Sequence, residues 1–281
     1  MKTYHHRALA IVSVILISLT TVGNVEAARD PGGHTRKGIA AAKKQQWDTA
    51  AEEFTKAIEA QPKDAKNYIN RGQALRADRK LKQAHADFTK AIELKPRDAT
   101  PYTLRGQVQL DQKRVDRAIE DFDQALKISP RDRSALRFRA FAHMTKRDWK
   151  KAIADYDVAI NTIRRVDVEG RMRRGFAHRN LKQYEAAIED FSRIIQASPK
   201  NADFHRYRAD TYALMGDNEK ALADMKRVVE MKPKDKEAQK RLAALQRAAQ
   251  AAAPRPQASP AGVQQQRAAR PTPSPSPARR G

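Results

Sequence analysis

The hydrophobic positions of this chain follow a helical rhythm with a longer period laid over it. Six segments, WDTAAEEF, LKQAHADF, VDRAIEDF, WKKAIADY, YEAAIEDF and NEKALADM, share an alanine at Ala50, Ala84, Ala118, Ala152, Ala187 and Ala221, spaced 34, 34, 34, 35 and 34 residues apart. Four residues later comes a large side chain, Phe54, Phe88, Phe122, Tyr156, Phe191 or Met225. Three further on stands a residue that is usually small, Ala57, Ala91, Ala125, Ala159, Ile194 or Val228. Offsets of four and seven put all three on one helix face. Upstream in each unit, Gly38, Gly72, Gly106, Ala140, Gly175 or Ala209 leaves room for a second helix to approach closely. Proline at Pro62, Pro96, Pro130, Pro199 and Pro233 then stops the second helix.

Each unit therefore predicts two antiparallel helices, such as 65–78 and 81–94, joined by a short polar turn. One hairpin buries too little apolar surface to stand alone, so the units must stack into a solenoid. The succession of small, small, aromatic, small and proline residues at these positions resembles the tetratricopeptide repeat family, over about residues 31–233. That resemblance implies an all-α, right-handed superhelical solenoid of about six hairpins. The units fall at about 31–64, 65–98, 99–132, 133–167, 168–201 and 202–233, within an array of 28–233. Residues 234–251 continue as a helix whose stripe of Ala238, Leu242, Leu245 and Ala249 suits a cap on the open end.

The fourth unit breaks the rule. Where proline is due stands Arg164, and Gly175 arrives one residue late. Without the proline, the second helix is expected to run on through 161–165. Arg164, Arg165, Arg171 and Arg173 are then expected to form a basic rim beside the ligand surface.

Charge sharpens this picture. Over 281 residues, 56 Lys and Arg face 33 Asp and Glu, a net charge of +23 that favours acidic partners without fixing the fold. A basic residue precedes each small packing residue (Lys37, Arg71, Arg105, Arg139, Arg174, Arg208), and an acidic one precedes each large residue (Glu53, Asp87, Asp121, Asp155, Asp190, Asp224). Equal numbers of opposite sign on the two helices predict inter-helix ion pairs along the stack. The other reading is a row of arginines facing a ligand.

At the N-terminus, a basic segment, the uncharged stretch 8–22 and small residues before Ala28 have the layout of a secretory signal peptide over 1–27. A retained anchor is the alternative, although 15 residues are short for a bilayer. Lys2, Arg7 and Glu26 leave with the peptide, so the net charge falls by one, to +22. The chain is expected to be exported, to the periplasm in a Gram-negative bacterium. It has no cysteine, which excludes disulfides and thiolate chemistry. Residues 252–281 are rich in Pro, Ala, Gln and Arg, a composition expected of a disordered cationic tail.

The family's concave surface, carried over residue by residue, falls on Arg76, Arg137, Phe141, Met144, Met172, Phe176, Arg179 and Arg206. An apolar strip edged by arginine suits an acidic or amphipathic protein segment, because guanidinium groups pair with carboxylates while Phe and Met adapt to side chains. These apolar residues serve equally as packing between neighbouring helices, and the sequence leaves the two readings open. The resemblance implies a non-enzymatic scaffold for protein–protein interaction. A second class of function is a basic adaptor that binds an anionic envelope polymer or membrane surface, and specific nucleic-acid binding is not expected. No phosphate loop, nucleophile elbow or zinc motif occurs. His143 and His178 hold equivalent places in adjacent units but bring no further ligands, so neither a metal nor a cofactor is expected.

Overall fold

The structure, a computed structural model, describes residues 33–162 and 166–252. The expected leader (1–27), Arg164 and Arg165, and all but the first residue of the expected tail lie outside them. The described residues form thirteen α-helices and no strand. Six hairpins follow one another: α1 (His34–Lys43) with α2 (Trp47–Ala60), α3 (Ala65–Ala77) with α4 (Leu81–Leu94), and α5 (Ala99–Asp111) with α6 (Val115–Ile128). Next come α7 (Arg133–Thr145) with α8 (Trp149–Asn161), α9 (Val168–Asn180) with α10 (Tyr184–Ala197), and α11 (Ala202–Met215) with α12 (Asn218–Met231). The last helix, α13 (Lys236–Ala252), packs on α12 through Ala238, Leu242 and Leu245. It reaches one residue into the expected tail.

Local chemistry sets the helix ends. From the second unit on, each first helix opens on Asp64, Asp98, Asp132, Asp167 or Asn201, whose side-chain oxygen accepts a backbone N–H at 2.9–3.1 Å. Inside each hairpin one residue takes a left-handed conformation and reverses the chain: Gln45, Arg79, Lys113, Arg147 and Lys182 at φ 59–63°, and Gly216 at φ 90°. Only the last of these is the residue that adopts this conformation without steric cost.

Within a hairpin the close approach is literal. A Cβ added to Gly38, Gly72, Gly106 or Gly175 would lie 2.6–2.8 Å from the ring of Phe54, Phe88, Phe122 or Phe191, sixteen residues on. Where alanine stands instead, at Ala140 and Ala209, the partner position holds Tyr156 and Met225. All six large residues are buried.

The predicted ion pairs form in units two to six. Arg71, Arg105, Arg139, Arg174 and Arg208 each grip Asp87, Asp121, Asp155, Asp190 and Asp224 through two nitrogens, at 2.6–2.9 Å. The remaining nitrogen reaches back to the second helix of the preceding unit, at Thr55, Thr89, Asp123, Asp157 or Ser192. The first unit departs from the expectation. There Glu53 accepts from His34 at 2.8 Å and Lys56 at 2.9 Å, while Lys37 is exposed. Lys37 has no preceding helix among the described residues to complete the three-helix contact.

The fourth unit also differs. Helix α8 ends at Asn161, four residues short of the expected run-on to 165; the Thr162 hydroxyl donates to the Ala159 carbonyl at 2.7 Å, and residues 163–165 lie outside the described residues. The extra residue is absorbed between α8 and α9, so the sixteen-residue register of Arg174 and Asp190 is restored at once.

Candidate functional site

First helices touch the first helices of the next unit, α1 with α3, α3 with α5, α5 with α7 and α7 with α9. They form a continuous layer that carries the expected ligand surface. Polar side chains link successive members of this layer. Thr35 donates to Asn67 at 3.0 Å, Arg76 bonds to Asp111 at 2.6 Å and also to Gln107, and Arg137 bonds to Glu169.

The expected site residues fall into several groups. Arg76 is held by Asp111 between units two and three, with 13% of its side chain exposed, so it serves the layer itself. Arg137, Phe141 and Arg173 come together around Glu169: Arg137 bonds Glu169, Arg173 bonds it at 3.0 Å, and the Arg173 guanidinium lies 4.8 Å over the Phe141 ring. Phe141 is 37% exposed, which makes it the open apolar member of the set. Met144 is half-buried against Ala140, Ala152, Tyr156 and Ile160.

Met172 and Phe176 belong to a neighbouring cluster with Phe191, Phe204 and Tyr207. Phe176 meets Tyr207 edge-on at 4.8 Å, and the Arg179 guanidinium lies 4.9 Å over the Phe176 ring. Arg206 pairs with Asp203 at 2.8 Å in unit six. Met144, Met172 and Phe176 therefore pack against neighbouring helices, and Phe141 alone of the four apolar residues is exposed.

The basic rim does not assemble as expected. Arg173 joins Phe141, but Arg171 turns away and donates to Asp190 at 3.2 Å, beside Arg174. Two positions along a helix are about 200° apart, so the two arginines cannot share a face. Arg171 holds the register of Tyr68, Tyr102 and His205, which bond back to the carbonyls of Pro62, Pro96 and Pro199. Arg164 and Arg165 lie outside the described residues.

Two residues of this site, Glu169 and Asp167, were missed in the sequence, and a third, Tyr156, was read there only as a packing residue. Glu169 pairs with both Arg137 and Arg173 and offsets one of their two charges. Asp167 caps α9 and lies 3.5 Å from Arg133 and 3.9 Å from Arg137, a role its cap register foreshadows. Tyr156 is fully buried in α8, its hydroxyl has no hydrogen-bond partner among the described residues, and burial raises its pKa, so it stays protonated. His143 and His178 have separate neighbours, Asp148 at 3.7 Å and Gln183 at 2.8 Å.

Family models described as tetratricopeptide repeat match residues 35–99, 69–133 and 103–166, and again 181–245. Among solved structures, the chain is similar to YrrB, described as a TPR protein with an unusual peptide-binding site, at 28% identity, TM-score 0.60, over 67% of this chain and 96% of that one. It is similar in fold to PilF of Pseudomonas aeruginosa, at 15% identity, TM-score 0.64, over 76% and 96% of the two chains. A tetratricopeptide repeat protein of Parabacteroides merdae matches in fold at 21% identity, TM-score 0.59, over 79% and 93%. No curated protein matches the chain.

Proposed function

The chain belongs to the tetratricopeptide repeat family, and from that premise we propose that it is a non-enzymatic scaffold that holds an amphipathic segment of a partner protein along its first-helix layer. The observation that carries this reading is Phe141, an exposed aromatic ring flanked by Arg173 in the middle of a layer whose successive helices are linked by polar contacts. An apolar side chain of the partner lies on Phe141, and a partner carboxylate approaches Arg173, whose side chain is 32% exposed against 22% for Arg137. Glu169 already neutralises part of this charge, so the segment is amphipathic rather than uniformly acidic. The peptide-binding description of the similar YrrB structure supports the same class of ligand. We also propose that residues 1–27 direct export, which sequencing the N-terminus of the purified mature protein tests.

Photocrosslinking tests the groove. A crosslinker at position 141 is expected to give a discrete partner adduct in intact cells, whereas one at Val158, an equally exposed apolar residue (42%) on the second helix α8, gives none. Equal adducts at both positions, or none at 141, would overturn the reading. With the partner in hand, Phe141→Ala and Arg173→Ala should each weaken its binding by about tenfold.

A further inference from the structure

The turns inside the hairpins stack along one edge of the array, opposite the proline loops. That edge carries exposed cations without an ion-pair partner among the described residues, including Arg79, Lys82, Lys113, Arg114, Arg147 and Lys150.

Adjacent turns meet across the unit boundaries, and the contacts differ in a telling way. Between units one and two, Lys80 Nζ donates to Asp48 at 2.5 Å. Between units three and four, Lys146 Nζ donates to Asp116 at 2.5 Å. Between units two and three, the 34-residue register puts Arg114 in the place of Lys80 and Lys82 in the place of Asp48. Both places are cationic and the acid is missing. An open cleft of about 490 Å³ lies there instead, lined by Arg79, Leu81, Lys82, His85, Gln112 and Arg114.

The helices themselves do not call for these charges. Arg79 and Lys113 follow the C-terminal ends of α3 and α5, where a cation is favourable, but Lys82 and Arg114 stand at the N-terminal ends of α4 and α6, where the macrodipole opposes it. His85, in the same cleft, is pushed down by burial and then by Arg105, Arg114 and Arg117, so it stays neutral and adds no repulsion at neutral pH.

We propose that this edge binds a linear polyanion, seating one anionic group among Arg79, Lys82 and Arg114 and passing the following groups over Lys113, Arg147 and Lys150. Successive repeats rotate relative to one another, so a row of turns winds along the array. A flexible charged chain can follow that row, whereas a flat membrane meets only part of it. This surface is separate from the Phe141 face, and the two can be occupied independently.

The test uses the full chain and labelled long-chain polyphosphate, with binding read by fluorescence anisotropy at one fixed ionic strength. Lys82→Asp rebuilds the Asp48-type carboxylate beside Arg114, removing a cation and filling the seat with an internal pair. It should weaken polyphosphate binding by about tenfold or more without lowering the melting temperature. Lys200→Asp makes the same charge change in an exposed loop on the opposite edge and should weaken it by less than about twofold. Should Lys82→Asp fail to fold, Lys82→Ala together with Arg114→Ala gives the same comparison. Equal weakening by Lys82→Asp and Lys200→Asp would reduce the effect to net charge and overturn the proposal. So would failure of the unaltered protein to bind, or Lys82-dependent binding to anionic lipid vesicles without binding to polyphosphate.

Discussion

Asp121 accepts two hydrogen bonds from Arg105, from Nε at 2.9 Å and Nη2 at 2.7 Å, while Nη1 of the same guanidinium donates to Thr89 in the preceding unit at 3.1 Å. One side chain thus ties α5 to both α6 and α4. Hydrogen bonding to Asp121 raises the Arg105 pKa further above its ordinary value, so the guanidinium stays charged throughout the working pH range. Asp121 is 4% exposed, and truncating its partner would leave a buried carboxylate without a counter-charge. Arg105→Ala is therefore expected to cost about 3 kcal/mol in urea unfolding. Lys37→Ala, at the same register in the first unit but exposed and without the pair, should stay within about 0.5 kcal/mol. Equal losses at the two positions would count against the three-helix staple as a source of stability.

The glycine–ring contact makes a second prediction. A Cβ on Gly106 would lie 2.6 Å from the Phe122 ring, so Gly106→Ala should cost about 2 kcal/mol by forcing a buried ring to move. Adding Phe122→Met copies the Ala209 and Met225 combination of the sixth unit and should recover about half of that loss. Thermal melts of the two single variants and the double variant check it; additive losses would show that the ring is not what the new methyl meets.

These two relationships were legible in the sequence because they recur: a period of 34 places the glycine, the ring, the arginine and the aspartate in fixed register, and the helices obey it. What the sequence hid was whatever depends on an end or an exception. Lys37 matches the pattern by sign, yet its single ammonium lacks the arginine fork and Glu53 is taken by His34 and Lys56 instead. Arg171 and Arg173 read as one basic cluster because they are close in sequence, but helix geometry sends one to Asp190 and the other to Phe141. Glu169, which pairs with Arg137 and Arg173, stands where Lys66, Thr100 and Ser134 stand in the earlier units, so the period did not mark it and only the packing of α9 on α7 brought it into view.

The hairpin turns offer a third prediction. Gln45 and Lys182 hold φ near 60°, a region that costs a residue with a Cβ about 1 kcal/mol. Gln45→Gly and Lys182→Gly should each raise stability by about 0.5 kcal/mol, the gain being reduced by the greater freedom of glycine in the unfolded chain. Gly216→Ala should do the reverse by about 1 kcal/mol, since no heavy atom lies within 4 Å of the added Cβ and the backbone conformation alone is penalised. Urea midpoints that move in the opposite directions would refute the reading.

Acid should loosen the first hairpin. Hydrogen bonds from His34 and then Lys56 hold the Glu53 carboxyl at about 2, well below its ordinary value of 4.5. A carboxyl whose folded pKa is depressed stabilises the fold above its unfolded pKa, and that contribution is lost as pH falls from about 4.5 towards about 2. Asp48, lowered by its bond to Lys80, acts in the same direction. The chain has two tryptophans, and Trp47 opens α2 in this hairpin while Trp149 lies in unit four. In a Trp149→Phe background, Trp47 emission should change across that acid range while most of the helical circular dichroism signal persists. Glu53→Gln should flatten the change by removing the titrating group. An emission profile that is the same with and without Glu53 would mean that the His34–Glu53–Lys56 contact does not hold α1 against α2.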